Sequence, residues 1–294
     1  MTIQKGDAVS ARLYVLLARE APRAVVFRRG PSKWTELIEW RTDTDTFCDG
    51  QWFHGRIYER RCDLSPSGRF LIYFVSKITS KTLADSEYTY AWTAISRPPF
   101  LTALALWPKG DCWHGGGLFR TEAEVWLNHR SSKPHPDHRP QRLKIISNPK
   151  ASGEDYPVWY QRMTRSGWTR IQEGRYPPSS RGWRTELEEI WERTQPNGTT
   201  KLRSVLEAVN FKKPGGYVES FWLMAGDHNF RIAGADWADW DQAGRLVFTR
   251  SGQVWTGRWM EDDLECTLLI DLNDRRPSRL VSPRWATSWT AEPE

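Results

Sequence analysis

The histidines offer the first candidate for chemistry in this sequence. His129, His135 and His138 lie within ten residues of one another, and Asp137 stands between the last two. Imidazole and carboxylate groups are the usual ligands of zinc and related metals. Two prolines hold this stretch extended, however, and the His-Pro-Asp-His spacing matches no common zinc motif. We therefore predict no bound metal and interpret the segment as a polar surface loop.

Acid–base and nucleophilic chemistry have weaker support. His54 and His114 each lie beside Trp and Gly residues, and either could act as a general base because imidazole titrates near neutral pH. Cys112 precedes His114 closely, but catalytic Cys–His pairs are usually brought together by the fold. The Gly-x-Ser-x-Gly motif of serine hydrolases is absent. The sequence favours a non-enzyme without a cofactor, and a hydrolase whose residues converge only in the fold is an alternative.

Tryptophan is the residue type best suited to recognition here, since the chain contains 18 of them. Exposed indoles can stack on sugar rings or, together with arginine, anchor a protein partner. Buried indoles fill the core of a sheet protein instead, and that is our interpretation for most of them. The residues that we predict to contact a ligand or partner are Arg97, Trp107, Trp113, His114, Trp237 and Trp240.

Three consecutive glycines at 115–117 could place adjacent backbone N–H groups around an anion. The Lys-Ser/Thr pair that ends a phosphate-binding loop does not follow them. A plain connecting loop is the alternative, because glycine also serves wherever the backbone must take unusual angles.

The basic residues are dispersed along the chain. The formal net charge is +6, and the densest basic pairs, which are interleaved with acidic residues, are Arg28-Arg29, Arg60-Arg61 and Arg275-Arg276. Such a pattern is typical of a solvated surface, so we disfavour nucleic acid as the partner.

The four cysteines form no Cys-x-x-Cys pair, and their spacing suggests no disulfide framework. The N-terminus lacks the basic-then-apolar pattern of a signal peptide. The longest apolar run, 101–107, is far shorter than the ~20 residues that span a bilayer. We therefore predict a cytoplasmic protein with reduced thiols and no membrane partner.

Two distant stretches of the chain are nearly the same. Residues 63–69 read Asp-Leu-Ser-Pro-Ser-Gly-Arg, residues 239–245 read Asp-Trp-Asp-Gln-Ala-Gly-Arg, and strand-forming residues follow each. Their separation of about 176 residues is close to four periods of ~44, and repeats of ~40–45 residues are typical of propeller blades. We predict that Gly68 and Gly244 are structural turn residues, with Gly68 free to take positive φ, and that Asp63 and Asp239 are structural and accept N–H bonds within their own turns.

These stretches resemble the Asp-x-Ser-Pro-Asp-Gly-Arg turn of WD40-like and TolB-type β-propellers. The first departs from that pattern only at Ser67, whereas the second keeps little more than the Asp and the Gly-Arg. The resemblance implies four-stranded blades around a central channel, and the chain length allows five or six of them. It implies no single activity, because propellers include enzymes, lectins and scaffolds.

Short apolar runs separated by turn residues predict strands throughout, including 13–18, 70–75, 157–163 and 268–272. We find no long linker and predict one all-β domain over 1–294, with the first and last strands in the same or adjacent blades and the Trp285–Trp289 tail packed over that junction. The favoured function is a non-enzymatic, protein-binding scaffold. A propeller that binds carbohydrate or another small ligand is the main alternative.

Overall fold

The computed structural model describes residues 10–175, 184–210, 216–260 and 263–291. Within these ranges the chain is built mainly from β-strands, which confirms the predicted all-β class. The helices of these ranges are α1 (Ser80–Ala84), α2 (Tyr156–Arg165) and the 3-10 turns Glu59–Arg61 and Arg284–Thr287. None of them is both long and apolar enough to span a bilayer.

Within the described residues, the strands form five sheets that follow one another along the chain, and the strands of each sheet are consecutive in sequence. The first sheet contains β1 (Arg12–Leu17), β2 (Arg23–Arg29), β3 (Trp34–Arg41), β4 (Thr46–Cys48) and β5 (Trp52–His54). The second contains β6 (Arg56–Ile57), β7 (Asp63–Leu64), β8 (Leu71–Ser76), β9 (Ala91–Ser96) and β10 (Ala105–Pro108). The third contains β11 (Gly117–Thr121), β12 (Glu124–Leu127) and β13 (Lys144–Ser147).

The fourth sheet contains β14 (Thr169–Gln172), β15 (Arg184–Thr194), β16 (Lys201–Asn210), β17 (Tyr217–Ala225) and β18 (His228–Arg231). The fifth contains β19 (Ala235–Trp240), β20 (Leu246–Arg250), β21 (Gln253–Met260) and β22 (Asp263–Asp271). Neighbouring strands are antiparallel except for β12 and β13, which run parallel.

The two repeated stretches form the same local structure. Asp63 lies in β7 and Asp239 in β19, and each strand pairs antiparallel with the strand that follows its turn. Gly68 has φ +74° and Gly244 has φ +76°, in the left-handed region that glycine adopts without strain. The turn conformation that the sequence predicts is therefore present in both repeats.

Residues 157–163, predicted as a strand, lie instead in α2. Pro157 stands in the first turn of this helix, where its missing N–H costs no hydrogen bond. Val158, Trp159 and Arg162 are buried along one face, so the apolar run has helical rather than alternating periodicity.

The sheets follow one another in chain order, with α2 between the third and the fourth, and the last contacts the first. β1 contacts β7, and β7 contacts β11. α2 then contacts both β11 and β14, β17 contacts β19, and β19 contacts β1. Apolar side chains fill the spaces between sheets, for example Leu16 with Leu64 between the first two and Val26 with Val247 between the first and last.

The first and last sheets meet without sharing a strand among the described residues, since β1 pairs with β2 and β22 with β21. Asn273 joins them: its Oδ1 accepts the Ala11 N–H at 3.0 Å, and its carbonyl accepts from Arg28 Nη2 at 2.7 Å. The first and last strands thus lie in adjacent sheets, as the sequence predicts.

The prediction that the C-terminal tail covers this junction is wrong. After β22 the chain crosses the first sheet, where Arg275 Nη1 lies 3.0 Å from Glu36 Oε1. It then reaches the second sheet, where the Trp285 ring packs on Phe100 and the Trp289 ring on Phe70. These phenylalanines offer the apolar surface that the two indoles cover.

Candidate functional site

Three of the residues predicted to contact a partner are buried and already bonded within the chain. Arg97 Nη2 donates to the Trp289 carbonyl at 2.9 Å, and the Trp107 indole donates to the Ser132 carbonyl at 3.0 Å. His114 Nδ1 lies 3.1 Å from the Asn128 carbonyl oxygen. We correct these assignments: the three side chains are less than a tenth exposed, Trp107 and His114 bond to the chain after β12, and Arg97 bonds to the C-terminal tail.

Trp113 is the predicted contact residue that solvent reaches, with 57% of its surface exposed. Its neighbour, the glycine run at 115–117, is not an open anion cradle. The Gly116 N–H donates to Thr93 Oγ1 at 2.8 Å, and a Cβ at Gly116 would lie 2.2 Å from the Arg61 carbonyl oxygen. These glycines serve a close backbone approach instead, because no larger residue fits there.

Trp237 and Trp240 line a cavity of about 410 Å³ into which both repeated stretches project, and which we call the repeat cavity. Asp63 and Asp239 line it too, but their carboxylates bond to arginines rather than mainly to their own turns. Arg165 lies 2.6 Å from Asp63, and Arg193 lies 2.5 Å from Asp239. The repeat cavity is therefore largely neutralised by pairs within the protein.

The backbone N–H groups of the two repeated turns donate to side chains other than Asp63 and Asp239. In the second repeat, Asp241 Oδ1 accepts the N–H groups of Ala243 and Arg245 at 3.0 and 2.8 Å. In the first repeat, Ser65 Oγ accepts the Phe70 N–H at 3.2 Å. The side chain two residues after the repeated Asp thus satisfies the turn, which corrects the predicted acceptor.

A second opening is strongly basic, and we call it the basic cleft. It consists of an outer cavity of about 490 Å³ and an inner cavity of about 250 Å³, which share Arg12, Arg29, Arg56 and Tyr58. The cations that line the outer cavity are Arg12, Arg29, Lys33, Arg56 and Lys77. None of its described lining residues is acidic.

Strand register brings these cations together. Arg12 begins β1 and Arg29 ends β2, and the two are directly opposite each other in the antiparallel pair. Arg56 lies in β6, at the adjoining edge of the second sheet, and its guanidinium stacks 4.7 Å from the Tyr58 ring. Like charges directly opposite each other destabilise a sheet, so the arrangement has a cost that folding alone does not explain.

The charges of the basic cleft are only partly balanced. Arg29 Nη2 lies 2.6 Å from Glu59 Oε1. Within the described part of the chain, by contrast, Arg12 and Arg56 have no carboxylate within ion-pair distance. Burial lowers the pKa of Arg12, the positive charges of Arg29 and Arg56 lower it further, and the carboxylates of Glu59 and Asp236 offset only part of this shift. An anion in the cleft would relieve this repulsion.

The inner cavity is different because acidic side chains also line it, namely Glu59, Asp155, Glu219 and Asp236. Arg60 Nη2 lies 2.5 Å from Glu219 Oε2, and both side chains are largely buried. The Tyr217 hydroxyl donates to Asp155 Oδ2 at 2.7 Å. The unbalanced positive charge therefore lies in the outer cavity, at the mouth of the cleft.

Sequence reasoning did not single out the basic cleft. Arg12, Arg29 and Arg56 are far apart along the chain, and of the basic pairs in the sequence Arg28-Arg29 and Arg60-Arg61 each contribute one residue to the cleft. The signal that could have found them is an arginine at the start of the first predicted strand and another at the end of the second, since a hairpin brings those ends together.

His54 is the single histidine among the described residues that line these three cavities. Its ring lies 4.6 Å from that of Trp34, and the outer cavity around it holds no carboxylate among its described residues. A hydrolase would need a base beside a nucleophile or a second acid, so neither opening favours that alternative.

Comparisons with known proteins give little further guidance. No family model matches the chain, and no curated protein matches it. Among solved structures, it is similar to the β-propeller domain of the Trilobed protease from Pyrococcus furiosus. The identity is 8%, the match covers 88% of this chain and 82% of that one, and the TM-score of 0.23 is too low to carry an argument.

Proposed function

We propose that this chain is a non-enzymatic cytosolic protein that binds another protein, and that its basic cleft holds an acidic segment of that partner. The observation that carries the proposal is the unbalanced cluster at the mouth of the cleft, where Arg12 and Arg56 lack a carboxylate partner among the described residues. The four cysteines are all free, which fits a reducing compartment.

We propose further that the five sheets are the blades of a WD40-like β-propeller, at the lower end of the predicted five to six. Two observations support this arrangement: the strands of each described sheet are consecutive in sequence, and the sheets follow one another in cyclic order, with α2 between the third and the fourth. The basic cleft and the repeat cavity are both lined by residues of β1, the first strand of the first blade. Concave openings of this kind are where folded domains bind ligands.

A protein segment suits the cleft better than a small anion does. The outer and inner cavities adjoin, so an extended chain could lie along both. Ile78, which lines the outer cavity, is 63% exposed, and Leu83 of the nearby helix α1 is 58% exposed. These side chains offer an apolar contact beside the cations, as in interfaces where charge gives specificity and apolar anchors add affinity.

The test compares two charge-matched variants. The first carries Arg12→Glu and Arg56→Glu, and the second carries Arg258→Glu and Arg279→Glu, which are exposed residues outside the cleft. Both variants change the net charge equally. A fluorescein-labelled octaglutamate peptide, with and without an added leucine, is titrated with each protein at low and at physiological salt.

We expect the first variant to weaken peptide binding by tenfold or more and the second to leave it within about twofold, because nearby charges act more strongly than distant, screened ones. The added leucine is expected to tighten binding to the unchanged cleft. Equal weakening by both variants would mean that only the overall charge matters, and the proposal would then fail.

The repeat cavity favours a second candidate, binding of a small hydroxylated ligand such as a carbohydrate. Trp237 and Trp240 line it beside the Asp63–Arg165 and Asp239–Arg193 pairs, which offer both donors and acceptors. A screen of free sugars, read by Trp emission, tests this candidate. Saturable quenching that Trp237→Phe abolishes would support it, and its absence across the screen would remove it.

A further inference from the structure

One histidine of the segment 129–138 meets two carboxylates. Ligand atoms of Glu87, His135 and Asp137 all lie within 4.8 Å of one another. Glu87 belongs to the connection before β9 in the second sheet, whereas His135 and Asp137 belong to the connection between β12 and β13 in the third. The fold therefore brings together, from separate loops, a set of groups that includes one buried imidazole.

The His135 imidazole has an unusual environment. Its side chain is 1% exposed, whereas that of Glu87 is 63% exposed. Nε2 lies 3.1 Å from Glu87 Oε1, yet it has no partner that meets hydrogen-bond geometry. A buried polar nitrogen without a hydrogen bond is costly, so its presence here needs an explanation.

Coordination of one metal ion explains this contact. Zinc binds imidazole nitrogen and carboxylate oxygen at about 2.0–2.2 Å, and two ligand atoms at tetrahedral angles are then about 3.3 Å apart. The Nε2–Oε1 distance of 3.1 Å is close to that separation. Two ligands of one ion point at the ion rather than at each other, which also accounts for the poor hydrogen-bond angle.

The neighbouring residues hold the imidazole in place. The Tyr88 ring stacks on the His135 ring at 4.1 Å, and the backbone N–H of His135 donates to the Leu106 carbonyl at 2.8 Å. The Glu87 N–H donates to Asp85 Oδ1 at 2.9 Å, which fixes the loop that carries the first carboxylate. Such fixed surroundings reduce the ordering that binding would otherwise require.

Metal binding at His135 would break one hydrogen bond of the present structure. The Asp137 N–H points to His135 Nδ1 at 3.2 Å, which places the ring proton on Nε2. A metal at Nε2 moves that proton to Nδ1 and breaks this long hydrogen bond. The other two histidines of the segment are engaged elsewhere: His129 Nε2 with Thr93 Oγ1 at 2.6 Å, and His138 Nδ1 with the Ala103 carbonyl at 3.1 Å.

We propose that Glu87, His135 and Asp137 bind one Zn²⁺ or a similar divalent transition metal, with water completing the coordination, and that the ion joins the two loops. This differs from the absence of metal expected from the sequence, because Glu87 lies outside the histidine segment. A mixed nitrogen and oxygen ligand set suits zinc better than calcium or magnesium, which prefer oxygen ligands alone.

The experiment uses the full chain without a histidine tag, stripped with EDTA, and carrying Cys48→Ser because that exposed thiol would bind zinc by itself. Zinc binding is measured by isothermal titration calorimetry, and the thermal midpoint is measured with and without zinc. Glu87→Gln and Asp137→Asn remove one ligand each at exposed positions, where misfolding is not expected. His54→Gln is the matched control, since it removes an exposed histidine elsewhere.

We expect one zinc per chain and a raised midpoint, with affinity reduced by tenfold or more in Glu87→Gln and Asp137→Asn but unchanged in His54→Gln. Substitution with Co²⁺ should give visible absorption bands that both ligand variants alter. No binding to the Cys48→Ser protein, or equal binding by all four proteins, would overturn the proposal.

Discussion

Arg165 donates through both terminal nitrogens to Asp63, with Nη1 2.6 Å from Oδ2 and Nη2 2.7 Å from Oδ1. The same carboxylate accepts the Phe119 N–H at 2.9 Å. One buried side chain thus joins β7 to β11 and to the end of α2. In the second repeat, Asp239 accepts instead from Arg193 of the fourth sheet. The repeated aspartate therefore links neighbouring sheets in both places.

Asp63→Ala is expected to lower the free energy of unfolding by about 3 kcal/mol, because it leaves the Phe119 N–H without an acceptor and leaves the Arg165 guanidinium with only the Phe119 carbonyl. The effect of Asp239→Ala should be smaller, about 1–2 kcal/mol, because both members of its pair are more exposed. Urea titrations at neutral pH measure both values. An Asp63→Ala protein as stable as the parent would contradict the structural role.

In the two repeated stretches, the local turn can be predicted from the sequence but the distant partner of the aspartate cannot. The Gly-Arg turns follow from local chemistry, so the sequence predicts a turn at Gly68 and at Gly244, and both glycines have positive φ. The partner of Asp63 does not follow, because Arg165 is 102 residues away and reaches it only through the packing of α2. α2 was itself misassigned as a strand, since short apolar runs fit either periodicity.

Arg12→Gln is expected to leave the stability unchanged or to raise it by up to about 1 kcal/mol, because it removes the like charge opposite Arg29. Arg29→Gln is the matched control from the same strand pair. It should destabilise the protein by about 1 kcal/mol, since Arg29 pairs with Glu59 and donates to the Ile57 carbonyl. Thermal and urea unfolding measure both changes.

If Arg12→Gln destabilises the fold as much as Arg29→Gln does, then Arg12 serves the fold and the cleft loses its main support as a binding site. The sequence alone could not separate these two arginines. Both are basic residues at strand ends, and only the structure shows that Arg29 has a carboxylate within ion-pair distance whereas Arg12 has none among the described residues.

Stability should fall as the pH drops from 7 towards 4, in part because of His129. Burial, and to a smaller extent the nearby charge of His114, lowers the pKa of His129 to about 3. An unfolded histidine has a pKa of about 6.5, so the unfolded state takes up the proton first and is favoured as the pH falls between these two values. This stability is fully present above pH ~6.5 and is progressively lost below it.

The measurement is the free energy of unfolding at several pH values for the parent and for His129→Gln, whose amide can still bond to Thr93 but does not titrate. The parent should lose up to about 1.4 kcal/mol more per pH unit than the variant over this window. Parallel curves for the two proteins would show that His129 is protonated equally in both states.

The C-terminal tail should be required for stability although it forms no strand in its described part. Gln51 Nε2 donates to Ser282 Oγ at 2.8 Å, and Trp285 and Trp289 cover Phe100 and Phe70 of the second sheet. Deleting residues 282–294 exposes both phenylalanines and is expected to cost about 3–6 kcal/mol, since burying each large aromatic contributes ~1.5–3 kcal/mol.

Truncation should therefore lower the thermal midpoint and promote aggregation, read by light scattering. A milder variant, Trp285→Ala with Trp289→Ala in the full chain, separates the indole contacts from the loss of backbone. If the truncated protein melts like the parent and stays monomeric, the tail does not contribute to the stability of the fold. If it melts early while the double variant does not, the backbone bonds of the tail, such as that from Arg97 to the Trp289 carbonyl, carry the stabilisation instead.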